Sequence, residues 1–526
     1  MTAKTKLPNP VEDRTYWVDD FKVTDQDVEY LFNLFLEQEE PLSLRDITYD
    51  LIENRIRQET NRVKKQVKNG TIFQPRNNYE VGQLIVFPAL GFQTGEVVST
   101  RKGSNEEYGD FDVLEVELED GLHEFAFNLT TEHPLNLDTD NLFEESIDAE
   151  QILRIYGRAI ARKVKTRFDE EEDVVYLAGR WYLKSLLADI NISHLHLAEA
   201  ILDMHGGGPL TTDEIFQEIG MEEDVNKRLQ IFSLDYAMQR DGRFDEVGPA
   251  GKVLWFLERM EPDEVRNVPI QLQYETLDFN FNLLSDEMKA HLLNIDDELS
   301  PIEAVEEEEE EVTISLIYPY RRTGTLPISA RLEALFPTAY ETTRIRMTMI
   351  DQVSGEEIPT WVVREAGYVY GLWDYYTQHQ MPIGAYITIR KHEDDPAKVY
   401  IDFSRRPRPR TEWIKLAVPA DNRVTFENHK RAVGADYDEL LNFGVEDVKG
   451  LDALWNPYRR LPLSEVMRRL LPELASLTPQ EAVHLTTLYS AVNLVRRCPP
   501  DPIFTTLVSN PDFENVGGPY WRLASY

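Results

Sequence analysis

Three runs of basic residues have types and spacing suited to binding phosphate or an acidic surface. The first, RIRQETNRVKKQVK, supplies the candidates Arg55, Arg57, Gln58, Asn61, Arg62, Lys64, Lys65 and Lys68. The second, LRIYGRAIARKVKTRF, supplies Arg158, Arg162, Lys163 and Lys165, with Arg154 and Arg167 beside them. The third, SRRPRPR, supplies Arg405, Arg406, Arg408 and Arg410. Each run is therefore a candidate nucleic-acid contact, while docking on an acidic protein and a solvated helix face remain open.

The overall charge limits how such runs can act. The chain has 94 acidic and 55 basic residues, which gives a formal net charge of −39. Phosphate binding is driven by cations that release counterions, so an acidic chain cannot embrace nucleic acid with its whole surface. Any contact must involve a few local basic faces.

No motif in the sequence predicts catalysis. There is no phosphate-binding GxxxxGK[ST], no HExxH and no GxSxG. Cys498 is the only cysteine and is interpreted as a buried structural thiol. His194 and His196 point to different faces of a helix and make a metal site with His205 a poor hypothesis. The acidic stretch DFDVLEVELED lacks the lysine of a nuclease core. We therefore expect no catalytic residue, metal or cofactor, and a protein that is not an enzyme.

Length and composition indicate several globular domains. At 526 residues, roughly three to five domains are expected. No apolar run reaches the roughly 18 to 20 residues of a membrane helix, and the first residues lack the apolar core of a signal peptide. We predict a cytoplasmic, non-membrane protein of the α+β class, built from repeated winged helix-turn-helix units and small antiparallel β-barrels. The oligomeric state is not predictable.

The clearest unit lies within residues 195–262. It begins with LHLAEAILDMHGGG, an amphipathic helix stopped by three glycines. Thr211 and Glu214 then form a capping box that starts a second helix, which Gly220 ends. A third helical run precedes FDEVGPAGKVLWFLERM, where glycines and a proline turn the chain between two extended pieces. This order predicts three helices and a wing.

Parts of this unit recur elsewhere in the chain. PLSLRDI (41–47) matches PLTTDEI (209–215), with Ser43 and Asp46 in the capping positions. FENVGGPYWRLA (513–524) resembles the wing-forming segment 244–257, and PLSEV occurs at 462–466. Because repeats of a supersecondary unit are strong evidence for architecture, four units are predicted: 20–75, 146–190, 191–265, and a mainly helical region 413–526 that ends in a winged-helix-like unit.

In the 20–75 unit, SLRDITYDLIEN is the predicted second helix and the first basic run the third. The third helix of such a unit usually occupies the major groove of DNA. Its arginines and lysines would contact phosphates, and Gln58 or Asn61 could reach a base edge.

Residues 76–135 change to a strand pattern. Alternating apolar residues from Phe111 to Leu118 and the hairpin signal at Asp120 and Gly121 predict a small antiparallel barrel. VGQLIVFPALGFQTGEV resembles the opening of the RNA-polymerase-interacting domain of the CarD and transcription-repair-coupling-factor family, and also SH3-like, Tudor-like and KOW-like barrels.

The order of helix, Pro-Leu-capped helix, third helix and wing resembles the HARE-HTH family, found in the delta subunit of bacterial RNA polymerase. That subunit also has an acidic tail. Here an acidic linker is predicted at 295–312, with six consecutive glutamates at 306–311. It is interpreted as an extended spacer, with nucleic-acid mimicry as the alternative. The resemblance implies DNA or RNA polymerase as partner and implies no catalytic residue.

Residues 313–412 predict a β-pseudobarrel. Their strands and turns are similar to the DNA-binding pseudobarrel of plant transcription factors and of some restriction-enzyme effector domains. The likeness rests on Asp351, Gly355, Trp361, Gly371, Trp373, Tyr376, Gly384 and Ile387. By that resemblance, the candidate DNA contacts are Arg344, Arg346, Arg364 and Arg390.

Together these features predict a non-enzymatic regulator of transcription that binds DNA or associates with RNA polymerase. The alternatives are a protein-interaction scaffold without nucleic-acid binding, and a regulatory subunit of a restriction or nuclease system.

Overall fold

The computed structural model describes residues 11, 14–104, 110–131, 133–136, 148–221, 226–301 and 309–524. The chain is α+β and divides into two compact units. The first unit comprises residues 1–189 and 223–233, and the second comprises residues 190–222 and 234–526.

The first unit opens with α1 (Asp25–Gln38), β1 (Leu42–Ser43) and α2 (Leu44–Lys68). The predicted cap of α2 is confirmed, since Ser43 Oγ accepts a hydrogen bond of 3.1 Å from the Asp46 backbone. The prediction of a separate third helix over the first basic run is wrong, because α2 continues unbroken through it. No glycine or proline interrupts residues 44–68, so nothing in the local sequence ends the helix.

Helix α2 packs against α3 (Ala149–Phe168), which leads into the hairpin of β7 (Val174–Leu177) and β8 (Arg180–Leu183). In the three-stranded sheet the order is β1-β8-β7, with Leu42 opposite Trp181 and Ser43 opposite Arg180. The predicted units 20–75 and 146–190 are therefore parts of one assembly, which we call module 1.

The segment between α2 and α3 forms a five-stranded sheet in the order β2 (Thr71–Ile72), β3 (Leu84–Phe87), β4 (Gln93–Lys102), β5 (Asp112–Leu118) and β6 (Gly121–Phe127). The predicted hairpin near Asp120 joins β5 and β6. The sheet curls around an aromatic core, in which Phe73 contacts Phe87 and Phe125. The Leu129 backbone donates to the Pro75 carbonyl at 2.9 Å, which brings the end of β6 back to the segment after β2.

Module 2 repeats the element order of module 1. It contains α4 (Ile192–Met204), a single bridging residue Leu210, α5 (Thr212–Ile219), α6 (Lys227–Gln239), β9 (Phe244–Glu246) and β10 (Trp255–Leu257). The predicted Thr211 and Glu214 capping box and the Gly220 stop of α5 are confirmed. Leu210 bridges Trp255 of β10, and β10 pairs with β9. The last strand therefore lies between the other two, as β8 does in module 1.

The short helices α7 (Asp263–Arg266) and α8 (Asp286–Ile295) lead to a seven-stranded sheet. Its order is β11 (Glu311–Ser315), β16 (Tyr386–Lys391), β17 (Lys398–Phe403), β13 (Arg344–Asp351), β14 (Glu357–Val363), β15 (Tyr368–Tyr370) and β12 (Thr325–Pro327). Helices α9 (Tyr318–Thr323) and α10 (Trp373–Gln378) connect its strands. The wing of module 2 packs on this sheet, where Phe256 meets Trp361 edge to face at 5.1 Å.

A long hairpin, β18 (Arg405–Ala420) and β19 (Arg423–Ala435), follows, with β20 (Phe443–Val445) parallel to β18. Two predictions fail here: FENHKRAVGADYDELLNFG is strand over most of its length, and the predicted boundary at 412 falls inside β18. Both strands pair over nearly their whole length, and this strand pairing outweighs local helical spacing.

After α11 (Val448–Arg459), module 3 gives the order a third time: α12 (Leu463–Ala475), β21 (Val483–His484), α13 (Leu485–Val492), α14 (Pro500–Ser509), β22 (Phe513–Gly517) and β23 (Tyr520–Leu523). The sheet order is β21-β23-β22, and Val483 lies opposite Trp521. PLSEV therefore begins the first helix of this module and is not equivalent to PLSLRDI or PLTTDEI.

The acidic segment is only partly described. Half of the predicted glutamate run, residues 306–308, lies outside the described residues. On either side the chain is packed, which contradicts a solvated spacer over all of 295–312. Asp297 is buried and pairs with Arg497 at 2.6 Å, and Glu309 pairs with Arg331 at 2.8 Å.

Candidate nucleic-acid interface

Helix α3 combines a buried apolar face with an exposed basic one. Asp148 caps its start by accepting a hydrogen bond from the Glu150 backbone at 3.0 Å. The buried face is formed by residues at helical spacing: Ala149, Ile152, Gly157, Ile160, Val164 and Phe168. On the opposite face lie Arg154, Arg158, Arg162 and Lys165. Their spacing of four, four and three residues places them in one row along the helix, which we call the α3 stripe.

The side chains of the α3 stripe make no hydrogen bond or ion pair with the part of the chain that the structure describes. A cation held by a carboxylate has part of its charge neutralised, whereas a solvated cation keeps its charge for a partner. At the other end of α3 the contrast is direct, because Arg167 pairs with Asp25 at 3.1 Å and also with Glu171.

A surface groove of about 660 Å³ runs beside the stripe. It is lined by the start of α2 and the first three turns of α3, including Arg45, Thr48, Arg154, Gly157 and Arg158. Arg45 lies 3.7 Å from Glu150, and both side chains are mostly exposed. An exposed pair of this kind is weak, so Arg45 can turn toward an incoming anion.

Lys163, predicted in the same basic run, has a structural position instead. Its ammonium group donates to the carbonyls of Val18 and Phe21 at 2.8 Å each. It therefore ties α3 to the segment before α1, and its ammonium group is less available for a nucleic-acid contact than the cations of the α3 stripe.

The first basic run lies on the second half of α2. Arg55 is largely buried, pairs with Asp27 and also donates to the Lys22 carbonyl at 3.2 Å, so it belongs to the interior of module 1. Arg62 pairs with Glu59 at 2.9 Å. The remaining candidates of this run have exposed side chains: Arg57, Gln58, Asn61, Lys64, Lys65 and Lys68.

The four arginines proposed from the pseudobarrel resemblance are all engaged within the second unit. Arg344 pairs with the buried Glu261 at 2.5 Å, and Arg364 donates to the Pro337 carbonyl at 3.0 Å. Arg346 lies 5.2 Å from the Trp361 ring centre, and burial lowers the pKa of Arg346 to about 10.

Arg390 lies over the Tyr400 ring at 4.4 Å and pairs with Glu393. Sequence alone cannot separate such held arginines from solvated ones.

The SRRPRPR run divides in the same way. Arg405 pairs with Asp351 and Asp402, and Arg406 pairs with Asp436 at 2.7 Å. Arg408 and Arg410 are exposed on β18. Two of the four predicted residues thus remain available.

The helices equivalent to α3 in the other two modules are largely buried. Helix α14 has no lysine or arginine, and seven of its first eight residues are buried: Pro500, Asp501, Pro502, Ile503, Phe504, Thr505 and Leu507. In α6 the cations stand only at the start, where Arg228 pairs with Glu40 at 2.8 Å. Of the three equivalent helices, α3 alone presents an exposed basic row in the described chain.

Other chemistry considered from sequence has structural explanations. Cys498 is buried, as predicted, and burial raises its thiol pKa to about 12. His194 completes a helix cap with Asn191, while His196 contacts Arg243 at 3.0 Å. The described residues contain no group of three or more His, Cys, Asp or Glu side chains arranged to hold a metal. Nor do they contain a helix with both the length and the apolar character needed to cross a membrane.

Comparison of the chain with protein-family models, with curated proteins and with solved structures finds no match.

Proposed function

We propose that this chain is a non-enzymatic DNA-binding protein that contacts duplex DNA through the α3 stripe of module 1. The observation that supports it most is the row of four exposed cations that have no side-chain partner among the described residues, in a chain of net charge −39. Such a row is the expected electrostatic footprint of a phosphate-binding face.

The topology of module 1 supports a winged helix-turn-helix. In this interpretation α1, α2 and α3 are the three helices, β1 is the first strand, and β7 and β8 form the wing. The helix before the wing is the one that usually enters the major groove, and here that helix is α3. The proposal therefore keeps the HARE-HTH-like interpretation but moves the contact helix from the first basic run to the second.

The dimensions of the stripe suit this role. Eleven residues separate Arg154 from Lys165, which corresponds to about 16 Å along the helix axis. The wing adds little cationic surface, because Glu170, Glu171 and Asp173 precede it and Arg180 donates to the Pro41 carbonyl. Contact is therefore expected mainly through the helix and the neighbouring groove.

Fluorescence anisotropy with a random-sequence duplex tests the proposal across a salt series. Four phosphate contacts predict a slope of about −3.6 in log K against log salt, so affinity should fall about 150-fold between 50 and 200 mM salt. No binding at low salt would reject DNA as the ligand.

A triple variant locates the contact. Arg154→Gln, Arg158→Gln and Arg162→Gln together should reduce the salt slope by about 2.7. The matched control removes three charges from α2, as Arg57→Gln, Lys65→Gln and Lys68→Gln. Both variants change the net charge equally. A weakened α2 variant beside an unchanged α3 variant would place the contact on the first basic run instead.

A protein partner is the second candidate function. It is favoured by α14, which has in module 3 the place that α3 has in module 1 and packs there against other parts of the chain. Under this alternative the α3 stripe binds an acidic protein surface. Association with RNA polymerase stays a prediction from the resemblance, and a pull-down after nuclease treatment, comparing the native chain with the α3 triple variant, tests it.

A further inference from the structure

A cleft in the second unit has the opposite charge to the protein as a whole. It has a volume of about 570 Å³ and lies among α9, the end of α10, the β18–β19 hairpin and β20. Arg321, Arg322 and Arg431 all line it, and its described lining includes no aspartate or glutamate. We call it the arginine cleft.

Two of the three arginines have no carboxylate among the described residues that pairs with them and neutralises their charge. Arg431 is exposed and makes no hydrogen bond or ion pair within the described chain, since Glu412, which faces it across the hairpin, is held by Arg406 at 3.0 Å. Arg321 donates to the Met381 carbonyl at 3.0 Å and has no carboxylate partner there. Arg322 differs, because it pairs with Asp452 at 2.6 Å. Two like charges therefore converge on one cleft.

Burial lowers the pKa of Arg321; the nearby Tyr376 acts to raise it, and the charge of Arg431 acts to lower it further. Arg321 and Arg431 therefore repel each other, and an anion between them would reduce this repulsion.

Two polar side chains of the lining, Tyr318 and Asn442, are buried, and each residue is only 3% exposed. The Tyr318 hydroxyl interacts with Arg322, and the Asn442 side chain interacts with Tyr437. The inner wall of the cleft is therefore polar as well as basic.

The cleft also offers a flat apolar surface. Trp373 begins α10 and is 46% exposed, which is unusual for so large an apolar ring. The guanidinium of Arg322 lies 6.0 Å from the centre of the Trp373 ring. An exposed indole of this kind can stack on a planar ligand.

We propose that the arginine cleft binds a small phosphorylated molecule with a planar ring, the chemistry of a mononucleotide. The phosphate group lies between Arg321 and Arg431, and the ring stacks on Trp373. This site is independent of the α3 stripe.

Isothermal titration of the full chain with AMP, CMP, GMP and UMP, one at a time, tests the proposal. At least one should bind more tightly than both inorganic phosphate and the corresponding nucleoside. Failure of all four at millimolar concentration would overturn the proposal, and equal affinity for phosphate alone would overturn the ring contact.

Arg431→Gln should weaken binding of the nucleotide about tenfold or more, because charge-assisted hydrogen bonds to phosphate are the strong ones. Since the Arg431 side chain makes no hydrogen bond or ion pair within the described part of the chain, this variant should fold normally. The control is Arg423→Gln, an exposed position on the same strand outside the cleft. Unchanged affinity in Arg431→Gln would reject the site. The α3 triple variant should bind the nucleotide like the native chain, so this proposal and the DNA proposal can fail separately.

Discussion

Replacement of Asp235 by asparagine should make module 2 more stable at neutral pH and remove part of its pH dependence. Asp235 lies on α6 and is 5% exposed. Its Oδ1 accepts a 2.8 Å hydrogen bond from the Trp255 indole and another from the Thr212 hydroxyl. These bonds join α5, α6 and β10. Both donors can also bond to an asparagine oxygen, so the variant keeps the network.

Burial raises the pKa of Asp235 from 3.8 to about 7, although both hydrogen bonds act to lower it. The folded chain therefore binds this proton more tightly than the unfolded chain. The stabilisation is complete below the unfolded pKa and is lost as the pH rises through the folded pKa. Between these limits the free energy of unfolding falls by about 1.4 kcal/mol per pH unit, which amounts to about 3 kcal/mol between pH 5 and pH 8.

Differential scanning calorimetry of the native chain and Asp235→Asn at pH 5, 6, 7 and 8 measures this effect. The variant should gain stability relative to the native chain as the pH rises, in the transition that contains module 2. Asp421→Asn, at the exposed turn of the β18–β19 hairpin, is the control and should show no such trend. A difference between Asp235→Asn and the native chain that stays constant from pH 5 to pH 8 would refute the argument, because it would mean that Asp235 does not change its proton occupancy on unfolding.

Two further predictions concern module 3 and the segment that packs on it. Burial and the neighbouring His291 lower the pKa of His484 to about 4, so the unfolded chain binds this proton more tightly, and stability should be lost as the pH falls from about 6.5 to about 4. In His484→Asn, which keeps a capping acceptor, calorimetry should show a smaller loss of stability over this range. A loss equal to that of the native chain would contradict the prediction. Arg497→Met should reduce the free energy of unfolding, measured by urea denaturation, by about 3 to 5 kcal/mol, because it leaves Asp297 and Glu298 buried without their cation. A change below about 1 kcal/mol would show that these carboxylates are neutral or solvated.

Helix starts and hairpins were predictable because their causes are local. The Thr211 and Glu214 pair satisfies backbone donors within four residues, and the structure shows both halves of that capping box. The repeated Pro-Leu segment likewise places Leu42 and Leu210 at equivalent strand positions, each opposite a tryptophan. Such features need no information from distant parts of the chain.

The grouping of residues 20–75 and 146–190 into one module was not predictable from local patterns. Its sheet pairs Leu42 with Trp181, while a complete five-stranded sheet lies between them in sequence. Local patterns do not reveal that two separated segments share one sheet, so they were interpreted as two units. β19 is a different case, because its partner β18 adjoins it through a two-residue turn, and their pairing decides the conformation of residues with mixed local preference.

The candidate site was predictable only as a class of residue. Basic runs are visible in the sequence, but Arg344 and Arg405 are held by carboxylates that lie more than fifty residues away in the chain. Periodicity helps within a single run. Cations at 154, 158, 162 and 165 fall on one helical face, whereas Lys163 falls outside that row and is bound to backbone carbonyls. It does not separate α3 from α2, where Arg57, Asn61, Lys65 and Lys68 have the same spacing.

The three modules also show why topology alone does not assign function. Helix α14 has the same place in its module as α3, yet its sequence, PDPIFTTLVS, contains no cation and is buried. Helix α3 has apolar residues on one side only, which leaves the other side for charge. A buried helix cannot bind phosphate whatever its fold, and an exposed basic helix can. We therefore base the proposal on the surface of the third helix, which is exposed and basic in module 1 and largely buried in modules 2 and 3.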